Sequence, residues 1–154
     1  MRINSSICLF AFFLVLFLQT ANYPALAQTT SNCNRQEEIF GFEMPNYAIS
    51  HQSGAILNIK VRYRLTPEAS AKNDYPNFVP MTKEIGNYLT NFPNNNDFWE
   101  VVNKKLVKIL LDKYPQMSSL KVELAVMPTP NELFPRSSIL RSTRPQGCPI
   151  TIGY

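Results

Sequence analysis

The sequence predicts an α+β domain, a four-stranded antiparallel sheet with two helices on one face, and three observations carry that expectation. Ala55–Leu65 and Leu120–Met127 alternate apolar and polar residues with the period of a half-buried strand. Between them, two apolar series recur at helical spacing: Met81, Ile85, Tyr88, Leu89 and Phe92, then Phe98, Val102, Leu106, Ile109 and Leu110. Proline and turn-forming residues punctuate the boundaries of all four segments.

Ile39 to Met44 and Tyr47 to Ser50 read as a first, weaker strand that Pro45 interrupts. His51-Gln52-Ser53-Gly54 supplies turn chemistry, so a hairpin joins it to the second strand, in which Leu57, Ile59, Val61, Tyr63 and Leu65 face one way. Asn58, Lys60, Arg62 and Arg64 face the other way. Thr66-Pro67 opens a polar loop. A short helix is expected from about Pro80 until Pro93, which cannot continue it.

Asn94-Asn95-Asn96-Asp97 is a cap-rich turn before a longer helix ending near Tyr114-Pro115. The third strand buries Leu120, Val122, Leu124 and Val126 and closes at Pro128 and Pro130; Ser137 to Thr143 pairs back on it as the fourth. Gly147 to Tyr154 reads as a tail. The strand order requires both helices on one sheet face, so Lys60, Arg62, Arg64, Lys121 and Glu123 on the other must meet water or a charged surface. Two sheet edges stay open, a liability that pairing between subunits removes.

The chain of 154 residues holds one domain, and its first segment is an address. Arg2 precedes the apolar run Ile7 to Leu18, too short to cross a bilayer, and Ala25-Leu26-Ala27 places small residues where a signal peptidase reads. Residues 1–27 are therefore expected to be a Sec signal peptide cleaved after Ala27. Residues 28–154 are then a single secreted or periplasmic domain with N- and C-terminal tails and no membrane attachment. Cys8 leaves with the signal. Cys33 and Cys148 remain and are expected to bridge, as a staple within one chain or as a bond between chains. No Cys-x-x-Cys supports a redox role.

Net charge of +4 is well below the basic density of a dedicated nucleic-acid binder, and no nucleic-acid partner is expected. One histidine and two remaining cysteines cannot build a closed four-ligand zinc site, and no metal or other cofactor is expected. His51 lies in a turn and reads as a solvated or edge residue.

The ββααββ order resembles the tunnelling fold of the dihydroneopterin aldolase superfamily. Phe78-Val79-Pro80 opens the first helix, Phe98-Trp99-Glu100 the second, and Val122 to Pro128 forms the third strand. The resemblance spans roughly Ala55 to Arg144 and implies a homo-oligomeric ring with pockets between subunits. It implies that Glu100 anchors the amino-pyrimidine edge of a pterin-like or purine-like heterocycle, which a carboxylate meets with two parallel hydrogen bonds. Glu100 equally suits a helix N-terminus, with Lys104 at i+4 as an ordinary partner.

The lysine that shuttles protons in the aldolases is replaced by Met127, whose thioether has no proton to exchange. Phe78 takes the place of the tyrosine at the first helix, with Tyr75 three residues upstream. The zinc ligands of the related cyclohydrolases and synthases are missing. Arg136 follows Phe134-Pro135 where a pocket would receive groups from a neighbour, or is a surface arginine. The candidate ligand-binding residues are thus Glu100, Arg136, Tyr75 and Phe78, and none is expected to be catalytic. The leading expectation is an exported, non-enzymatic ring-forming protein that binds such a heterocycle. The alternatives are a divergent enzyme of the same fold and a protein-interaction module with no small ligand. Were the ring to close, the basic face of Lys60, Arg62 and Arg64 would line its tunnel and attract anions.

Overall fold

The computed structural model describes Cys33 and residues 38–93, 95–130 and 132–151; the expected signal peptide, residues 1–27, lies outside them. The alternating segment Ala55–Leu65 forms β2, with Leu57, Ile59 and Val61 wholly buried. It pairs antiparallel with β1, Phe40–Ile49, through the expected hairpin, whose turn is a short 3-10 segment at His51–Ser53. Pro45 does not end β1. The ladder shifts between Met44 and Tyr47, and at this bulge Asn46 takes φ 53° and donates its N–H to the Asn58 side-chain carbonyl at 2.9 Å. A proline is tolerated here because β1 is an edge strand.

The segment after Thr66 is not all loop. Thr66 caps a one-turn helix, α1 (Pro67–Ala71), its hydroxyl accepting from Ala69 N–H at 3.1 Å. Helix α2 (Phe78–Thr90) begins two residues before the expected Pro80, because Asn77 caps it through Val79 N–H at 3.0 Å. Helix α3 spans Trp99–Lys113. Strand β3 (Met117–Val126) then pairs with β2 on one side and with β4 (Arg136–Thr143) on the other.

The sheet order is β1-β2-β3-β4, antiparallel throughout, so the two outer strands are β1 and β4. Helix α2 packs on β1, and α3 on β3 and β4. The core lies between helices and sheet, where Met81, Ile85, Leu106 and Leu110 meet Leu57, Ile59, Leu120 and Leu124. Tyr88 joins the two helices by donating its hydroxyl to the Val102 carbonyl at 3.0 Å.

The C-terminal segment departs from the expected tail. After β4 the chain turns at Arg144–Gly147 and crosses the sheet face away from the helices, with Ser119 Oγ donating to the Cys148 carbonyl at 2.5 Å. Ile150 is buried as a result. Gly147 passes so close that a Cβ there would lie 2.7 Å from the Ser118 carbonyl oxygen. Met117 to Leu120 are buried on both faces beneath this strap, which is why β3 starts three residues before its visible alternation. Cys148 forms a disulfide with Cys33 of the same chain, Cα atoms 5.6 Å apart, which settles the pairing left open by sequence. No described helix is long and apolar enough to cross a membrane.

Candidate functional site

Glu100 stands in the first turn of α3 and is exposed. Phe98 at the N-cap provides no side-chain hydrogen bond, so an acid here suits the unsatisfied N–H groups of the helix start. Among the described residues no ion pair forms with Lys104, the partner expected one turn later, and the carboxylate is left facing solvent. Asn103, three residues on and on the same helical side, reaches β4 at Ser138. Arg136 begins β4 two residues before Ser138, opposite Val126, and forms an ion pair with Glu132 in the preceding loop. Glu100 and Arg136 therefore belong to the same end of the α3–β4 pair.

Tyr75 and Phe78 sit elsewhere. Tyr75 is 47% exposed, its ring edge-on to Phe40 of β1 at 5.4 Å, and its hydroxyl donates to Asn73 Oδ1 at 3.3 Å. Phe78, 58% exposed, opens α2 with its ring 6.5 Å from Phe42 of β1. Both are thus fixed to the β1 edge, whereas Glu100 and Arg136 lie at the β4 edge. The four candidates form two pairs on opposite sides of the sheet and do not meet within one chain.

Each edge has its own concavity. Beside β1, a cavity of about 630 Å³ is lined by Phe40, Tyr75, Arg64, Thr66, Ser118 and the strap at Gly147. Beside β4, a groove of about 840 Å³ runs along α3, floored by Val101, Val107, Leu111 and Leu140 and rimmed by Lys104, Lys108 and Arg141. Met127 is partly exposed just past β3, and its sulfur accepts from Asn58 Nδ2 at 3.2 Å.

His51 is not the solvated turn residue expected. It is 2% exposed, its ring packed edge-on against Trp99 at 4.8 Å and Phe92 at 5.6 Å, with Nε2 3.0 Å from the Asp97 carbonyl. The hairpin turn tucks under the loop that precedes α3, so the imidazole ties two connections together. Trp99 and Tyr63 are core residues; burial also pushes the Tyr63 phenol above its ordinary pKa. The described residues hold no group of three or more side chains suited to a metal ion.

Asn103 was missed by the sequence reading, although the signal was present. It is a polar residue on the apolar stripe of α3, between Val102 and Leu106, where only a partnered polar side chain is tolerated. No protein-family model matches this chain, and no curated protein matches it in sequence. The functional reading accordingly rests on the fold and on these residues.

Proposed function

We propose that the mature chain is an exported, non-enzymatic protein of the tunnelling fold, which assembles edge to edge and binds a pterin-like or purine-like heterocycle between subunits. One observation carries the reading. Glu100 and Arg136 stand at the β4 edge and Tyr75 and Phe78 at the β1 edge. Antiparallel pairing of β4 with β1 of the next copy, staggered along the strands because Arg136 lies at the Tyr47 end of the sheet and Phe40 at the Ser142 end, brings a carboxylate and a guanidinium from one subunit towards two exposed aromatic rings from the other. That set has the parts a planar 2-amino-heterocycle needs, a two-point acceptor for its N–H edge and apolar rings for its faces.

Among the described residues Glu100 forms no ion pair, which leaves its carboxylate available for this task. Edge pairing also relieves the open ladder of both outer strands. Met127 supports binding without aldolase chemistry, since no proton can be moved at that position. Export agrees with the intrachain disulfide, which persists in oxidising compartments.

Native mass spectrometry of the protein from its exported fraction tests assembly, and fluorescence titration with pterin tests the site. A multimer that binds pterin, with Glu100→Gln weakening binding by about 30- to 100-fold, is the expected result; this corresponds to about 2–3 kcal/mol for a lost charge-assisted pair. A monomer, or equal affinity in the Glu100→Gln variant, overturns it.

A further inference from the structure

The C-terminal strap does more than cover the start of β3. Together with α1 it borders the cavity of about 630 Å³, a size within the range of about 300–1,000 Å³ usual for small-molecule sites. Its walls are fixed by the fold. The floor is the end of β2 and the start of β3, where Ser118 Oγ donates to the Leu65 carbonyl at 2.8 Å. On one side Gly147 of the strap lies against the Ser118 carbonyl, and Cys148 is held by its disulfide. On the other stand α1 and the loop after it, closed by the Asp74 N–H donating to the Ala69 carbonyl at 2.9 Å. Phe40 and Tyr75, edge-on at 5.4 Å, add an apolar wall.

The polar groups of this cavity carry both hydrogen-bonding senses. Thr66 Oγ1 accepts from the Ala69 N–H, which leaves its hydroxyl proton to donate. Ser118 Oγ donates its proton to Leu65 and keeps lone pairs to accept. Asn73 Oδ1 accepts from the Tyr75 hydroxyl, so the Asn73 amide N–H groups remain as donors and the phenolic oxygen as an acceptor. Ser70 and Gln146 each offer both senses. Among the described residues the lining holds one cation, Arg64, and one carboxylate, Glu38.

We propose that this cavity binds a short neutral saccharide. A hydroxyl donates and accepts at one atom, and its hydrogen rotates to suit its neighbours. A ring carrying several hydroxyls therefore meets donors and acceptors wherever they fall on the wall, while its C–H face lies on Tyr75. An anion only accepts, so it leaves Ser118 and the Tyr75 oxygen unmet and is repelled by Glu38. An ammonium only donates and is repelled by Arg64. An apolar molecule strands every polar group of the lining. A peptide amide donates and accepts at separate atoms pointing in opposite directions, so it cannot adapt to a mixed wall as a rotating hydroxyl does. Only one chain is needed, so the proposal stands apart from edge pairing and from Glu100. Tyr75 serves both readings, and the variants below leave it unchanged.

The test is an NMR titration of the disulfide-bonded protein, read at its backbone amides, with glucose and cellobiose as neutral probes. Glucuronate, glucosamine and a capped alanine dipeptide serve as anionic, cationic and peptide counterparts. At least one neutral sugar is expected to bind and to shift the amides of residues 64–75, 118 and 146–148, which border the cavity. The triple variant Ser70→Ala, Asn73→Gly, Gln146→Ala is expected to bind that sugar roughly tenfold or more weakly. Glycine is used at position 73 because Asn73 has φ 55°. Glu100→Gln is expected to bind the sugar like wild type, so failure of the heterocycle reading and failure of this one are told apart. Should the triple variant not fold, Gln146→Ala alone, weakening binding severalfold, decides the matter. Binding of neither neutral sugar, shifts confined to other segments, or full affinity in the variant overturns the proposal. So does a charged sugar or the dipeptide that binds as tightly as the better neutral sugar.

Discussion

Asn103 of α3 donates its side-chain amide to the backbone carbonyl of Ser138 at 3.0 Å and to that of Val122 at 3.1 Å, so one buried side chain pins the helix to both β3 and β4. The Ser138 hydroxyl lies 3.2 Å from the same nitrogen. This contact sets the position of Glu100, one turn earlier, relative to Arg136. Asn103→Ala is expected to destabilise the fold by about 2–3 kcal/mol, since it strips partners from buried polar groups. Asn103→Asp is expected to cost more, because a buried carboxylate would face two carbonyl oxygens. Urea unfolding checks both; an Asn103→Asp variant as stable as Asn103→Ala would refute the donor role.

The Cys33–Cys148 disulfide closes a loop across a sequence separation of 115 residues. Replacing both cysteines by alanine is expected to lower stability by about 3–5 kcal/mol and to expose the strap to protease near Gln146. Because the bond lies within one chain, the denatured, non-reduced protein is expected to migrate as a monomer. A disulfide-linked ladder would contradict the pairing seen here.

Gly86 faces the Tyr47 ring across the α2–β1 contact, and a Cβ at this position would collide with the Tyr47 hydroxyl. In an exposed helix Gly→Ala gains about 1 kcal/mol. Here Gly86→Ala is expected to destabilise by about 1–3 kcal/mol, the usual range for overpacking. Adding Tyr47→Phe removes the colliding atom and is expected to recover most of the loss. No recovery in the double variant would mean that the backbone, not the hydroxyl, sets the limit.

Tyr88 carries a phenol whose pKa is pushed upward, first by burial and second by the negative charge of Asp97. A folded-state pKa above the unfolded one means that its contribution is complete below about pH 10 and is lost as pH rises beyond that. Tyr63 and Tyr114, raised chiefly by burial, and Lys113, raised by its hydrogen bond to Glu84, act in the same direction. Stability is therefore expected to fall on the alkaline side, above about pH 10. Tyr88→Phe is expected to flatten that limb while costing about 1 kcal/mol at neutral pH for the hydrogen bond to Val102. Melting temperatures of both proteins across pH 8 to 11 provide the check, and parallel curves would exclude Tyr88 as a contributor.

Strand β2, helices α2 and α3 and the second half of β3 were legible because each exposes one side to water, so apolar and polar residues alternate with the period of the element. Pro45 looked like a break in β1 because sequence does not say which strand lies at an edge, where a bulge absorbs it. The start of β3 was illegible for a related reason. Both of its faces are buried there, one by the core and one by the strap, so alternation vanishes where the tertiary fold covers the second face.

Sequence by itself determined the α+β class, the four strands and two main helices, and the two cysteines available for a bridge. These follow from local periodicity and composition, which each segment carries without reference to the others. Only the tertiary structure decided that the bridge is intrachain, that His51 is buried beneath the loop before α3, and that the segment 144–151 forms a strap. The same holds for the partition of Glu100 and Arg136 from Tyr75 and Phe78, and for the cavity that α1, β3 and the strap border. Those facts depend on strand order and register, set by contacts between residues far apart in the chain, and no local pattern encodes them.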